Sequence, residues 1–217
     1  MKNIWEPILD LLYPPRCVFC HNLTPKGIKV CDHCRKTLPW TVGPGQSRKL
    51  DFIPKCVSPL YYEGHVRDSL LRYKFRGLTA YAEIYGEFLS KCIDENEIFC
   101  DSITWVPLSR RRLRRRGYDQ AGLLAEELAR RSGLPCVRLL QKVRDVPAQS
   151  GTGNAAKRRA NVSGVYRAEE NGEIRGKRIL LVDDIVTTGA TLSECAKTLK
   201  LAGAAEVYGA ALARSRQ

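Results

Sequence analysis

No apolar stretch of this chain approaches the roughly 18 residues that a membrane-spanning helix needs, so no segment reads as transmembrane. The start of the chain, Met1 to Tyr13, lacks the basic opening and long apolar core of a signal peptide; Glu6 and Pro7 interrupt it. Together these absences predict a cytoplasmic protein. Ile4, Trp5, Ile8, Leu9, Leu11 and Leu12 instead suit a short amphipathic helix that packs on something. Internal repeats are absent. The cysteines number nine, and an odd count argues against a simple disulfide framework. Acidic residues are outnumbered: 23 Asp and Glu stand against 36 Lys and Arg, a formal net charge of +13. That excess favours polyanionic or phosphorylated partners and says nothing about fold. What remains is ordinary, with 44% hydrophobic and 27% charged residues, and 217 residues suffice for one sizeable domain plus a small module.

Four cysteines fall into order as Cys17-Val18-Phe19-Cys20 and, ten residues on, Cys31-Asp32-His33-Cys34. Each pair can place two thiolates on one metal through a tight turn, and two pairs complete a tetrahedral shell. Four thiolates with no open position is the pattern of structural rather than catalytic zinc. Redox dithiols, or disulfides in an exported protein, are the alternatives; neither explains the paired spacing without a signal peptide. His21 and His33 are expected to be bystanders, and Cys195 a small buried apolar residue. Thr41 to Pro54, rich in Gly, Pro, Ser, Lys and Arg, reads as a linker, dividing the chain into 1–50 and 51–217.

Beyond the linker, strand-like and helix-like patterns alternate. Strands are expected at Cys56–Tyr62, Ser102–Val106, Val137–Leu140, Arg178–Asp183 and Glu206–Leu212. Helices are expected at Val66–Phe75, Tyr81–Ile93, Gln120–Arg131 and Thr191–Ala202, with Gly133 stopping the third. That alternation implies an α/β fold, a parallel sheet with helices on both faces. Gln141–Asn161 is polar, basic and without apolar periodicity, which suits a functional lid.

The most informative segment is Ile179-Leu180-Leu181-Val182-Asp183-Asp184-Ile185-Val186-Thr187-Thr188-Gly189-Ala190-Thr191-Leu192. An apolar run ends in two carboxylates, a Thr/Gly loop follows, and then a helix begins. Ligands of open α/β sheets bind beyond the carboxyl ends of the strands. Unpaired N–H groups opening the helix can grip a phosphate, the threonine hydroxyls add donors, and Gly189 lets the backbone approach the anion. Carboxylates repel phosphate but suit the vicinal hydroxyls of a ribose. The segment reads as a sugar 5′-phosphate site. A second cluster, Ser109 and then six arginines in seven positions from Arg110 to Arg116, follows the strand ending at Val106-Pro107. Arginine forks fit phosphate oxygens two at a time, so a pyrophosphate beside the ribose site is one reading. A solvated charge run and a nucleic-acid patch are the others.

The acidic-pair segment resembles the phosphoribosyl pyrophosphate motif of type I phosphoribosyltransferases. That resemblance implies that Asp183 and Asp184 hold the 2′- and 3′-hydroxyls, while Thr187, Thr188, Gly189, Ala190 and Thr191 wrap the 5′-phosphate. The whole order of motifs resembles the ComF family of bacterial competence proteins. It comprises the four-cysteine module, Val106-Pro107-Leu108, Arg116-Gly117-Tyr118-Asp119-Gln120-Ala121, Gln149-Ser150-Gly151 with Arg158, Asn161-Val162-Ser163-Gly164, and the acidic pair. The family pattern more often carries Asn where Asp119 stands and an apolar residue where Thr152 stands. Membership implies zinc on Cys17, Cys20, Cys31 and Cys34, and phosphoribosyl pyrophosphate or a nucleotide bound with Mg²⁺. It also implies pyrophosphate near Ser109, Arg110 and Arg111, and the handling of single-stranded DNA in natural transformation alongside competence proteins such as a helicase. Phe19, Trp40, Tyr61 and Tyr62 are candidate platforms for stacked bases. No residue stands out as a general base, and no nucleobase pocket is recognisable, so both turnover and the acceptor stay open.

Overall fold

In the computed structural model, residues 14–144, 164–169 and 173–216 are described. The expected N-terminal helix, most of the lid, and the Gln149-Ser150-Gly151, Arg158 and Asn161-Val162-Ser163 motifs lie outside them. The elements are α1 (Asp32–Thr37), β1 (Ser47–Leu50), β2 (Ile53–Val57), β3 (Leu60–Tyr61), α2 (Gly64–Phe75), α3 (Tyr81–Glu95) and β4 (Ser102–Trp105). There follow α4 (Arg110–Arg116), α5 (Gln120–Ser132), β5 (Leu140–Lys142), β6 (Tyr166–Ala168), β7 (Arg178–Val186), α6 (Ala190–Leu201) and β8 (Glu206–Arg214). The main sheet runs β1-β2-β8-β7-β4, with β3 also on β8; every pairing is parallel except β1 with β2.

Strand β7 lies inside the sheet, between β8 and β4, and its composition suits that place. Ile179 and Leu181 enter one buried cluster with Leu192, Cys195 and Leu199 of α6, while Leu180 and Val182 enter the other with Tyr85, Leu89, Leu124 and Leu128 of α3 and α5. A strand buried on both faces must read as a continuous apolar run. α5 is defined at both ends: the Asp119 carboxylate accepts from Gly122 N, and Gly133 closes it in the left-handed conformation.

Four expectations are corrected. Cys56–Tyr62 is two strands, because Ser58-Pro59 breaks the ladder and the Pro59 carbonyl accepts from Thr41 N instead. The linker Thr41–Pro54 holds β1 and the start of β2, a hairpin that forms the edge of the sheet. The strand expected at Val137–Leu140 begins at Leu140 and pairs antiparallel with β6, apart from the main sheet; the segment before it touches β4 through the Cys136–Ile103 bridge and through Leu139 N, which donates to Thr104 Oγ1. β7 runs three residues past Asp183, because β8 continues beside it to Arg214.

Candidate functional site

β4 pairs with β7 only as far as Val182, whereas β8 follows β7 to Val186. The acidic pair therefore lies at a step in the sheet, where the β4 edge has ended and β7 continues. Successive residues of a strand face opposite sides. Asp183 turns toward the α6 side, where its charge bears on Cys56, Tyr166 and Cys195. Burial first, and the neighbouring Asp184 second, push its carboxyl up to about 8. Asp184 turns toward α2 and α5 and is met by Lys74, with Nζ 2.8 Å from Oδ2. Arg116 and Tyr73 also lie within reach of its charge.

The loop after β7 is built for close approach. Gly189 has φ +80 and serves as the N-cap of α6, and a Cβ there would sit 2.5 Å from Leu50 Cδ2. The left-handed conformation demands glycine, and a Cβ would also push the Leu50 side chain aside. Thr188 Oγ1 accepts from Ala190 N at 3.4 Å, and Arg48 Nη2 donates to the Thr187 carbonyl at 2.8 Å. Thus the edge strand β1 props the loop at two points. Helix α6 then presents its unpaired N–H groups beside Thr187 and Thr188.

Around β4, Leu108 N donates to Asp119 Oδ2 at 2.9 Å, tying the segment after the strand to the start of α5. Ser109 is buried, and its hydroxyl caps α4 by accepting from Arg112 N. The arginines of α4 diverge. Arg116 lies over the Phe75 ring at 5.0 Å, whereas Arg110, Arg111 and Arg114 line a cleft of about 570 Å³ with Lys142 and Arg144 of the β5 hairpin and its flank. No carboxylate lines that cleft among the described residues.

The four cysteine sulfurs lie within 4.8 Å of one another, and Cys20 Sγ is 3.7 Å from Cys31 Sγ. Zinc–sulfur bonds of about 2.3 Å in a tetrahedron require sulfurs about 3.8 Å apart, so the cluster fits structural zinc. Burial raises the Cys17 thiol, but the backbone N–H groups of Cys31, Cys20 and Phe19 outweigh it and bring it down to about 7. The metal would hold these thiolates together as a cross-link. The turn Cys17–Cys20 seats on α2 and α3. Ser69 Oγ donates to the Val18 carbonyl at 2.5 Å, Arg72 Nη2 to the Phe19 carbonyl at 2.5 Å, and Phe19 stacks on Phe88 with centroids 5.8 Å apart.

Comparison with known proteins agrees with both halves. A double zinc ribbon domain matches residues 8–45, and a phosphoribosyl transferase domain matches residues 114–217. Competence protein F of Haemophilus influenzae is 37% identical over 117 residues, 53% of this chain and 51% of the relative. Competence protein ComFC of Bacillus subtilis is 32% identical over 159 residues, 71% of this chain and 62% of the relative. The chain belongs to the ComF family. DNA utilization protein YhgH of Escherichia coli is 36% identical over 118 residues, 53% of this chain and 50% of the relative. The matched region thus spans between half and two thirds of these relatives' length. Among solved structures, glutamine phosphoribosylpyrophosphate amidotransferase of B. subtilis aligns with a TM-score of 0.44 at 24% identity, covering 64% of this chain and 30% of that one.

Within this ComF-family chain, the acidic pair and the threonine loop are contiguous, and Arg110 and Arg111 line the cleft on the β4 side. Two further residues were not legible in sequence. Lys74 and Arg48 reach the site across 110 and 139 positions, and each lay within a stretch read for another purpose, a helix and a linker. The base-stacking candidates mostly fall away. Phe19 is fully buried, Trp40 packs on Phe88 at 4.8 Å, and Tyr62 packs against the core. Tyr61 is half-buried beneath the guanidinium groups of Arg214 and Arg216.

Proposed function

We propose that this chain is a ComF-type competence protein whose second domain binds phosphoribosyl pyrophosphate with Mg²⁺, and that it handles single-stranded DNA during natural transformation. The observation that carries the sugar-phosphate half is the step in the sheet. It sets two carboxylates, Asp184 buried against Lys74 and Asp183 half-buried, beside a glycine-capped loop and a helix start, with cations on the β4 side. In this reading Asp183 and Asp184 accept from the ribose 2′- and 3′-hydroxyls, and Thr187 to Thr191 receive the 5′-phosphate. Ser109, Arg110 and Arg111 lie toward the pyrophosphate, with Ser109 acting through its cap on α4. Mg²⁺ favours carboxylate, water and phosphate oxygens, and it would neutralise the pyrophosphate charge. The four-cysteine part of residues 1–50 supplies the zinc module, and 51–217 together with strand β1 supply the binding domain, both acting in the cytoplasm with competence proteins such as a helicase as partners.

The DNA half rests on charge. Arg114, Lys142 and Arg144 extend the basic cleft beyond what one pyrophosphate can use. A single strand contacting three of these cations should bind with a log–log salt slope near about −2. Titrating an oligothymidylate at several salt concentrations checks this, and the slope should become shallower in Arg111→Ala/Arg114→Ala. Binding that is absent or indifferent to salt would remove the DNA role. It would leave the second reading, favoured by the complete ribose-phosphate loop: an active phosphoribosyltransferase of nucleotide metabolism with no direct part in DNA uptake.

A further inference from the structure

If the loop holds a phosphoribosyl group, its surroundings are asymmetric. On the β4 side lies the cleft of Arg110, Arg111, Arg114, Lys142 and Arg144. A leaving pyrophosphate belongs there, because that cleft gathers five cations, more than the two arginines across the step. Displacement at the anomeric carbon breaks the bond to the pyrophosphate oxygen, which departs with the electron pair. A nitrogen lone pair forms the new bond, and that nitrogen's proton passes to solvent. The incoming nitrogen approaches from the face opposite the leaving group, which is the β8 side.

That side carries two guanidinium groups that make no ion pair among the described residues. Arg214 ends β8 level with Val186, and the next residue, Ser215, donates its N–H to the Val186 carbonyl. Its Nη2 lies 3.4 Å from Tyr61 Oη, and its guanidinium lies 5.2 Å from the Tyr61 ring centre. Arg48 reaches in from β1 to the Thr187 carbonyl. Each buries its Nε without a hydrogen-bond partner. Among the described residues neither arginine makes an ion pair, although Asp51 lines the same cavity as Arg48; by contrast Arg216 is paired with Glu63 at 2.7 Å. The charge of Arg214 also bears unfavourably on Arg48, which burial already disfavours. Two half-buried like charges with unfilled donors are costly unless an anion joins them.

We propose that Arg48 and Arg214 form the specificity site for the acceptor, and that the acceptor is a nitrogen nucleophile bearing an oxyanion. This rests on the phosphoribosyl reading and narrows it to a substrate class. Planar forks fit carboxylate and phosphate alike, so the test uses matched pairs that differ in the anionic group.

The full zinc-loaded chain is first titrated with phosphoribosyl pyrophosphate and Mg²⁺. That complex is then titrated with orotate against uracil, and with 2-aminobenzoate and 2-aminophenyl phosphate against 2-aminobenzamide. Each anionic member should bind at least about tenfold tighter than its neutral counterpart, about 1.4 kcal/mol. Whichever of 2-aminobenzoate and 2-aminophenyl phosphate binds tighter identifies the oxyanion. Arg214→Gln should erase most of that preference, while Arg214→Lys, which keeps the charge, should retain part of it. Neutral members binding as tightly, or neither member of any pair binding, overturns the acceptor assignment alone. Failure of the first titration overturns the phosphoribosyl reading and this inference with it.

Discussion

Asp183 and Asp184 are adjacent in the chain, yet the pleat of β7 gives them different surroundings. Asp184 has Lys74 at 2.8 Å; Asp183 has burial and a neighbouring negative charge. Folded Asp183 therefore holds its proton more tightly than its unfolded value of 3.8. The stability from that proton is complete below the unfolded value and is lost as pH rises through about 8. Urea midpoints of the ligand-free protein should accordingly decline from pH 5 to pH 9, and Asp183→Asn should flatten that decline. A variant whose midpoints fall as steeply as the wild type would show that Asp183 does not carry the proton. At this scale the sequence reading reached what is local: the carboxylates, the threonines, Gly189 and the four cysteines all lie within short motifs. Lys74 and Arg48 were out of reach, because periodicity and spacing carry no signal for a contact made across more than a hundred positions.

Elements were legible where one physical cause dominates. The apolar run of β7, the caps of α5 and the alternation of strand and helix each follow from local rules. Misreadings came where tertiary pairing decides. Ser47–Leu50 looks like linker by composition, and it becomes a strand only because β2 offers it an edge. That strand has a job that composition could not show, since Leu50 packs over Gly189 and Arg48 holds the Thr187 carbonyl. Gly189→Ala should consequently cost about 1–2 kcal/mol from the left-handed conformation, plus the contact with Leu50. Denaturant melts can separate the two. Adding Leu50→Ala to Gly189→Ala should recover the contact cost and leave the conformational one. If the double variant is simply the sum of the two single losses, Leu50 is not what confines the loop.

Across the whole molecule, α2 connects the two functional halves. Ser69 and Arg72 hold the carbonyls of the Cys17–Cys20 turn, Lys74 pairs with Asp184, and Phe75 lies under Arg116. Tyr73 adds a hydrogen bond from its Oη to the Gln120 carbonyl at 2.9 Å, and Tyr118 donates to the Tyr73 carbonyl. Removing zinc should loosen that turn and, with it, the helix that positions Lys74. A chelator should therefore lower the melting temperature and weaken sugar-phosphate binding together, and zinc but not Mg²⁺ should restore both. Loss of one without the other would mean that the halves are independent.

The membership in the ComF family and the α/β architecture were readable because both rest on motif order and hydrophobic pattern. The sugar-phosphate site itself is a claim about binding, and it is best tested by calorimetry of phosphoribosyl pyrophosphate with Mg²⁺ on the wild type and on Asp183→Ala/Asp184→Ala. The wild type should bind one equivalent, and the variant should lose more than about tenfold in affinity, since losing even the hydrogen bond to the Lys74-paired Asp184 carboxylate costs roughly 1.5–3 kcal/mol. Equal affinity in the two proteins, or no binding by either, would contradict a ribose held by the acidic pair of β7.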